Sequence, residues 1–278
     1  MIEIQDLTVR YGEFTAVDGL TLRVEMGAKF GMLGPNGAGK TSTIDCIAGL
    51  RVPTGGKILV DGVDVRKGPQ ASRQLIGLVP QTLALYPALS VSENLNIFGA
   101  LMGLRGKKRK QQVDWGLELS QLTARKEAKV KELSGGMMRR LNLACSLLHE
   151  PKVIICDEPT TGVDPQSRNH IFETIRSLQE SGATVVYTTH YMEEVEALCE
   201  RVAIIDHGKL VAHDTLEALL AGGNKASYEV ELSQDVTQEA IEAALRAAAI
   251  ETVALRATPR TLEEVFLERT GRQLREDA

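Results

Sequence analysis

Along the first thirty residues apolar and polar side chains alternate. Ile2, Ile4, Leu7 and Val9 form one series and Leu20, Leu22 and Val24 a second, with Tyr11-Gly12 between them. A period of two marks strands with one buried face, and the turn between the runs predicts an antiparallel ribbon. Lys29–Leu33 reads as a short buried strand running into a glycine-rich loop, and 41–50 as a helix that ends near Gly49. Residues 55–62 predict another strand bounded by turn residues. From about 90 to 150 the period lengthens, with Leu95, Phe98, Leu101 and Met102 at helical spacing. Strands and helices then alternate: a strand at 153–156, a helix at 165–181, a strand at 184–188 and a helix at 191–199. Strands at 202–205 and 210–212 flank the turn Asp206-His-Gly-Lys209. Apolar, β-branched strands alternating with helices predict a mostly parallel α/β core sheet covered on both faces.

The run Ala221-Gly-Gly-Asn-Lys225 reads as a linker. Beyond it the pattern predicts a strand at Ser227–Leu232, an Ala-rich helix at 237–248 and a strand at Thr252–Thr258. A last helix is opened by Thr261 and Glu264 in capping-box spacing and closed at Gly271. The expected organisation is a main domain over 1–220, with a helical subdomain at about 85–150, and a small C-terminal α/β appendage over 226–278.

Composition narrows the function. The 278 residues are 43% hydrophobic and 25% charged, enough for one sizeable core and an ordinary surface. A net charge of −5 offers no global basic field, so no nucleic-acid partner is expected. Cys46, Cys145, Cys156 and Cys199 stand far apart among aliphatic residues, which points to buried reduced thiols rather than a zinc site. The charged start Met1-Ile-Glu-Ile-Gln-Asp6 is unlike a secretory signal, and no segment approaches the ~20 apolar residues of a membrane span. A soluble protein is expected, with any membrane role acting through a partner. Lys107-Lys-Arg-Lys110 reads as a solvated loop between helical segments, with anionic lipid or nucleic acid as the other reading; it is assigned no role.

Three segments carry phosphate chemistry. Gly34-Pro-Asn-Gly-Ala-Gly-Lys-Thr41 fits G-x-x-x-x-G-K-[ST] between a strand and a helix. Its glycines let backbone N–H groups of the loop turn inward around a phosphate at the positive end of the helix. Lys40 would reach the β- and γ-phosphates, Thr41 would offer a hydroxyl to Mg²⁺, and Pro35, Asn36, Gly37, Ala38, Gly39 and Ser42 complete the ATP-binding set. The strand before Asp157-Glu158 ends on carboxylates suited to holding Mg²⁺ and orienting an attacking water. Leu133-Ser-Gly-Gly-Met137 opens a helix with Ser134 as N-cap, and Gly135 and Gly136 let a γ-phosphate approach free N–H groups. A plain glycine turn, an acidic strand end and a simple helix cap are the ordinary readings of these three segments taken singly.

Taken in this order, the segments resemble the ATP-binding cassette family, the nucleotide-binding subunits of ABC transporters, over roughly residues 1–220. The resemblance implies a P-loop fold of the ABC type, ATP hydrolysis with Mg²⁺, and a dimer of two such chains, identical or not, closing around the nucleotide. It implies that Tyr11 stacks on adenine and that Gln81 is the Q-loop glutamine touching Mg²⁺ or water. Asp164 becomes the D-loop residue, His190 the switch histidine on the γ-phosphate and Glu158 the general base. It also implies an integral-membrane permease partner, and hence a cytoplasmic position on the inner face of the plasma membrane. The family usually has Gln where this chain has Met137. The stretch 84–95, expected to offer exposed apolar anchors to the permease, and the tail 258–267 resemble ABC-2-type exporters.

Two other classes stand beside this one. A cassette ATPase of nucleic-acid repair, chromosome structure or translation would call for zinc-binding cysteine pairs, a long coiled-coil insertion or two cassettes. A nucleotide sensor without turnover is opposed by Glu158 and His190.

Overall fold

The computed structural model describes residues 1–221, together with the backbone of two strands at Ser227–Leu232 and Thr252–Thr258. The expected helices at 237–248 and 261–271, and most of the 221–225 linker, lie outside the described residues.

The N-terminal ribbon is β1 (Ile2–Tyr11) against β2 (Phe14–Val24), with Ile2 opposite Val24 and Tyr11 opposite Phe14. Two further strands, β4 (Gly55–Val60) and β5 (Val63–Asp64), extend it to the antiparallel order β2-β1-β4-β5. The second sheet contains β3 (Lys29–Leu33), β6 (Ile76–Val79), β7 (Val153–Asp157), β8 (Thr184–Thr189), β9 (Arg201–Asp206) and β10 (Lys209–Thr215). Its order is β10-β9-β3-β8-β7-β6, parallel throughout except for β10 against β9. Strands β11 (Ser227–Leu232) and β12 (Thr252–Thr258) pair antiparallel, at the positions expected.

Eight α-helices are described: α1 (Lys40–Ile47), α2 (Pro69–Leu75), α3 (Val91–Leu101), α4 (Gly106–Leu119), α5 (Gly135–Leu147), α6 (Pro165–Glu180), α7 (Met192–Leu198) and α8 (Leu216–Ala221). Alternate residues of the core strands feed different layers. Val153 and Ile155 of β7 pack with β1, β2 and α1, whereas Ile154 and Cys156 pack with α5, α6 and α7. Both faces are therefore buried, as a parallel sheet requires. Helices α3, α4 and α5 build a third core of their own around Val91, Leu95, Leu117 and Leu141.

Two expectations change, and two elements are added. The basic run is not a loop: Lys107 to Lys110 form the first turns of α4 after an extended Arg105, and Lys108 pairs with Glu150 at 2.7 Å. Lys and Arg are good helix formers, so a charged run with no turn residue inside it continues a helix. The run's exposure stands as expected. In the stretch 84–95, Tyr86 is exposed, but Val91 and Leu95 are fully buried in the α3 core and cannot anchor a partner. The edge strand β6 and the helix α2 before it were not foreseen, because four residues are too few for periodicity to show. All four cysteines are free and buried.

Candidate functional site: a nucleotide cleft at the strand ends

Parallel register brings four strand ends to one level. Leu33 pairs with Thr189, Asp157 with Thr188, and Val79 with Cys156. Gly34, Asp157, Glu158, His190 and Pro80-Gln81 thus leave the sheet side by side although they are far apart in sequence. The carboxyl edge of a parallel sheet is where such folds bind ligands.

The glycine loop sets up α1. Gly39 is the N-cap at φ 103°, and a Cβ there would lie 2.5 Å from the Ala16 carbonyl oxygen, so only glycine fits. The first-turn N–H groups of α1 have no partner within the helix and form an anion seat. Lys40 Nζ donates to the carbonyl oxygens of Gly34 (2.7 Å) and Pro35 (3.2 Å) and lies 3.4 Å from Glu158 Oε1. Its side chain is 4% exposed. Burial lowers the Lys40 pKa, while Glu158 and Asp157 pull it back up. A buried ammonium so placed favours a further anion beside it.

Two acids follow β7. Asp157 Oδ2 accepts from Thr41 Oγ1 at 3.0 Å and Oδ1 from Thr188 Oγ1 at 2.5 Å. Burial raises its pKa, and the hydroxyls of Thr188 and Thr41 oppose that rise. Glu158 has a left-handed backbone, φ 44°, held by its N–H on the Thr188 carbonyl (3.1 Å) and hydroxyl (3.2 Å). Backbone strain at a non-glycine residue persists only where the surroundings enforce it, and it gathers at functional sites. Onto this carboxylate converge Gln81 Nε2 (3.0 Å), Lys40 Nζ (3.4 Å) and Thr161 Oγ1 (3.4 Å). His190 Nδ1 sits 3.3 Å from Oε2 without hydrogen-bond geometry.

Ser134 and Asp164 belong to a second group. Ser134 caps α5, accepting from Met137 N at 3.3 Å, and Asp164 caps α6, accepting from Ser167 N at 2.9 Å. Bonds from Ser167 hold the Asp164 carboxyl below its ordinary range. The two helix starts touch: a Cβ on Gly136 would lie 2.1 Å from Ser167 Oγ and 2.5 Å from Asp164 Oδ2. Gly135 beside it is exposed. Met137 is half-buried against the α3–α5 core, so an apolar residue fits at this position. Tyr11 is exposed, its hydroxyl is 3.2 Å from Ser42 Oγ, and Arg51 lies 4.1 Å from its ring centroid. One ring face is thus covered by a cation.

Two positioning residues were missed in sequence. Arg139 on α5 is buried and its Nη1 donates to the carbonyls of Pro80 (3.1 Å) and Gln81 (2.8 Å). Asn142 Oδ1 accepts from Ala84 N at 3.0 Å. Their only sequence signal is two polar residues three apart on a largely apolar helix, which does not distinguish them from a solvated face. Next to this tether lies a groove of about 990 Å³, lined by Leu50, Leu78, Leu83, Phe98, Leu101 and Met102 among others. Among the described residues no helix is long and apolar enough to cross a membrane.

Comparisons with known proteins identify the family. The family profile described as "ABC transporter" matches residues 17–161. The linearmycin resistance ATP-binding protein LnrL of Bacillus subtilis (strain 168) is 39% identical over 99% of this chain and 100% of its own. A Nod factor export ATP-binding protein I of Ralstonia nicotianae is 39% identical over 99% of this chain and 95% of its own. Among solved structures, the dimeric post-hydrolysis state of the cassette MJ0796 bound to ADP and Pi superposes with TM-score 0.71 at 26% identity. It covers 78% of this chain and 99% of that one. An ATP-binding subunit of an ABC transporter superposes with TM-score 0.74 at 28% identity, over 80% of this chain and 92% of that one. Since the sequence match runs past the cassette to nearly the full chain, this protein belongs to the ABC transporter family, as an ATP-binding subunit that hydrolyses ATP.

Proposed function

We propose that the chain is the ATP-hydrolysing subunit of an exporter, closing as a dimer around ATP and driving a separate membrane subunit. The observation that carries the mechanism is the convergence of Lys40, Gln81 and His190 on the Glu158 carboxylate, beside the Thr41–Asp157 pair. The Thr41 hydroxyl and Asp157 carboxylate are hard oxygen donors, few in number, the set that suits Mg²⁺ in a phosphate site. These two would hold it, with Gln81 as the third expected ligand, and when bound it would supply neutralising charge on the phosphate oxygens. Lys40 and backbone N–H groups of the glycine loop and the first turn of α1 grip the β- and γ-phosphates, and Tyr11 stacks on the adenine. Glu158 accepts the proton of the attacking water, and His190 contacts the γ-phosphate.

Ser134, Gly135 and Gly136 face the γ-phosphate held by the other copy, with Asp164 at the junction. Supporting this, Ser134, Gly135 and Asp164 are exposed at helix starts apart from the Lys40 cluster, whereas Gly136 is buried where α5 meets α6. Closure is then favoured only while the γ-phosphate is present. The apolar groove beside Gln81 takes the permease, which would put the chain at the cytoplasmic face of the membrane. Both relatives described above are named for resistance or export, which supports an exporter over a nucleic-acid or translation ATPase. Residues 226–278 are read as a separate accessory unit.

The test is Glu158→Gln. The variant is expected to bind ATP, lose phosphate release and elute as a dimer from a sizing column with ATP present. A variant that stays monomeric at saturating ATP, with or without Mg²⁺, overturns the dimer reading.

A further inference from the structure

We propose that Glu194 is a positioning residue that ties the strand end carrying Glu158 to the turn carrying His190. Nothing in the mechanism above uses it. It sits on α7, away from the glycine loop, and is 2% exposed. A carboxylate this deep needs donors for its oxygens. Among the described residues no lysine or arginine supplies them. Glu194 Oε1 accepts from Thr160 Oγ1 at 2.7 Å, and Oε2 accepts from Tyr187 OH at 3.0 Å and Thr189 Oγ1 at 2.8 Å.

The three donors define what the carboxylate joins. Thr160 lies two residues beyond Glu158, in the turn where Thr161 N bonds the Glu158 carbonyl (3.3 Å) and Val163 N the Thr160 carbonyl (3.2 Å). Thr189 immediately precedes His190, and its Oγ1 also accepts from Tyr191 N at 3.0 Å, closing the turn that carries the imidazole. Tyr187 is fully buried in β8, between these two segments. One carboxylate therefore fixes both ends of the Glu158–His190 gap. Removing it frees the turn beyond Glu158, at Thr160, and the His190 turn, at Thr189, to move apart. Three neutral hydroxyls on one charge form a network whose members strengthen one another, so loss of any arm loosens the rest.

The proposal rests on the reading of Glu158 and His190 as acting on the γ-phosphate. Its test uses phosphate release by the purified full chain, with KM for ATP and thermal unfolding measured on the same samples. Thr160→Val keeps the shape and removes the hydroxyl, while Thr160→Ser keeps the hydroxyl and removes a methyl. We expect kcat to fall tenfold or more in Thr160→Val and in Thr189→Val with KM within threefold. Thr160→Ser and Thr189→Ser should stay within threefold of the parent. Glu194→Gln should behave like the valine variants, and Glu194→Gln combined with Thr160→Val should be no slower than the slower single. The opposite order, serine slower than valine, means packing and overturns the proposal, as does a folded Glu194→Gln protein at parental kcat. If Glu158→Gln itself keeps turnover, the underlying catalytic reading fails instead.

Discussion

Arg139→Met removes the tether between α5 and the segment bearing Gln81 while keeping an unbranched side chain in the same space. In the native chain one buried guanidinium nitrogen holds the carbonyls of Pro80 and Gln81 at 3.1 and 2.8 Å. Bonds from a charged donor contribute about 1.5–3 kcal/mol each, so the gross loss is about 3–6 kcal/mol. Burial of the guanidinium, which lowers the Arg139 pKa, offsets part of this because the apolar replacement carries no desolvation penalty. Gln81 is also exposed, so its freed carbonyl finds water. A net destabilisation of about 2 kcal/mol follows. The effect on rate is larger in kind. Gln81 Nε2 reaches Glu158 at 3.0 Å, and a displacement of about 1 Å at a catalytic contact costs up to ~100-fold. Phosphate release should fall about 10- to 100-fold with ATP affinity nearly unchanged, since Arg139 touches neither Lys40 nor the glycine loop. Urea unfolding, an ATP titration and a phosphate assay on one preparation measure all three quantities. Arg139→Lys, a point charge without the planar fork, should fall between. A folded Arg139→Met protein with kcat within twofold of the parent would refute the tether.

Gly136→Ala should destabilise the chain by about 2–4 kcal/mol, combining overpacking with a disturbed Asp164 cap. The added methyl would meet Ser167 Cβ at 2.7 Å as well as two polar atoms, so a simple rotamer change does not relieve it. Denaturant unfolding checks this, and an unchanged midpoint contradicts the close approach of α5 and α6. His149, whose Nε2 bonds the Ile76 carbonyl at 3.0 Å, has its pKa lowered from 6.5 by burial. The unfolded chain then takes up a proton near 6.5 while the folded chain does not, so stability falls as pH drops below that value. His149→Gln should flatten the unfolding midpoint between pH 7 and pH 5, and identical pH profiles would exclude this contribution.

The phosphate segments were legible because their chemistry is local. A strand, a glycine loop and a helix start lie within one short stretch, and Asp157-Glu158 ends its own strand, so residue type and spacing carry the meaning. The strands Lys29–Leu33, Ser227–Leu232 and Thr252–Thr258 were readable to the residue for the same reason. Lys107 to Lys110 misled because a solvated charged run suits a loop as well as a helix face, and the helix propensity of Lys and Arg is only a weak local signal. Val91 and Leu95 misled because an apolar residue near a loop can face a partner or its own core, and only packing of α3 on α4 and α5 selects the core. The four-residue β6 was invisible until it paired with β7.

What residue order alone determined is the kind of chemistry: which side chains can grip phosphate, hold a metal and take a proton. What the tertiary structure decided is their assembly. Parallel register, set by hydrogen bonds between strands distant in the chain, levels Gly34, Glu158, Gln81 and His190 at one sheet edge. Burial there gives Arg139 and Glu194 roles that neither residue type nor spacing discloses, because an inward-facing charge must find its partners among groups that only the fold brings near.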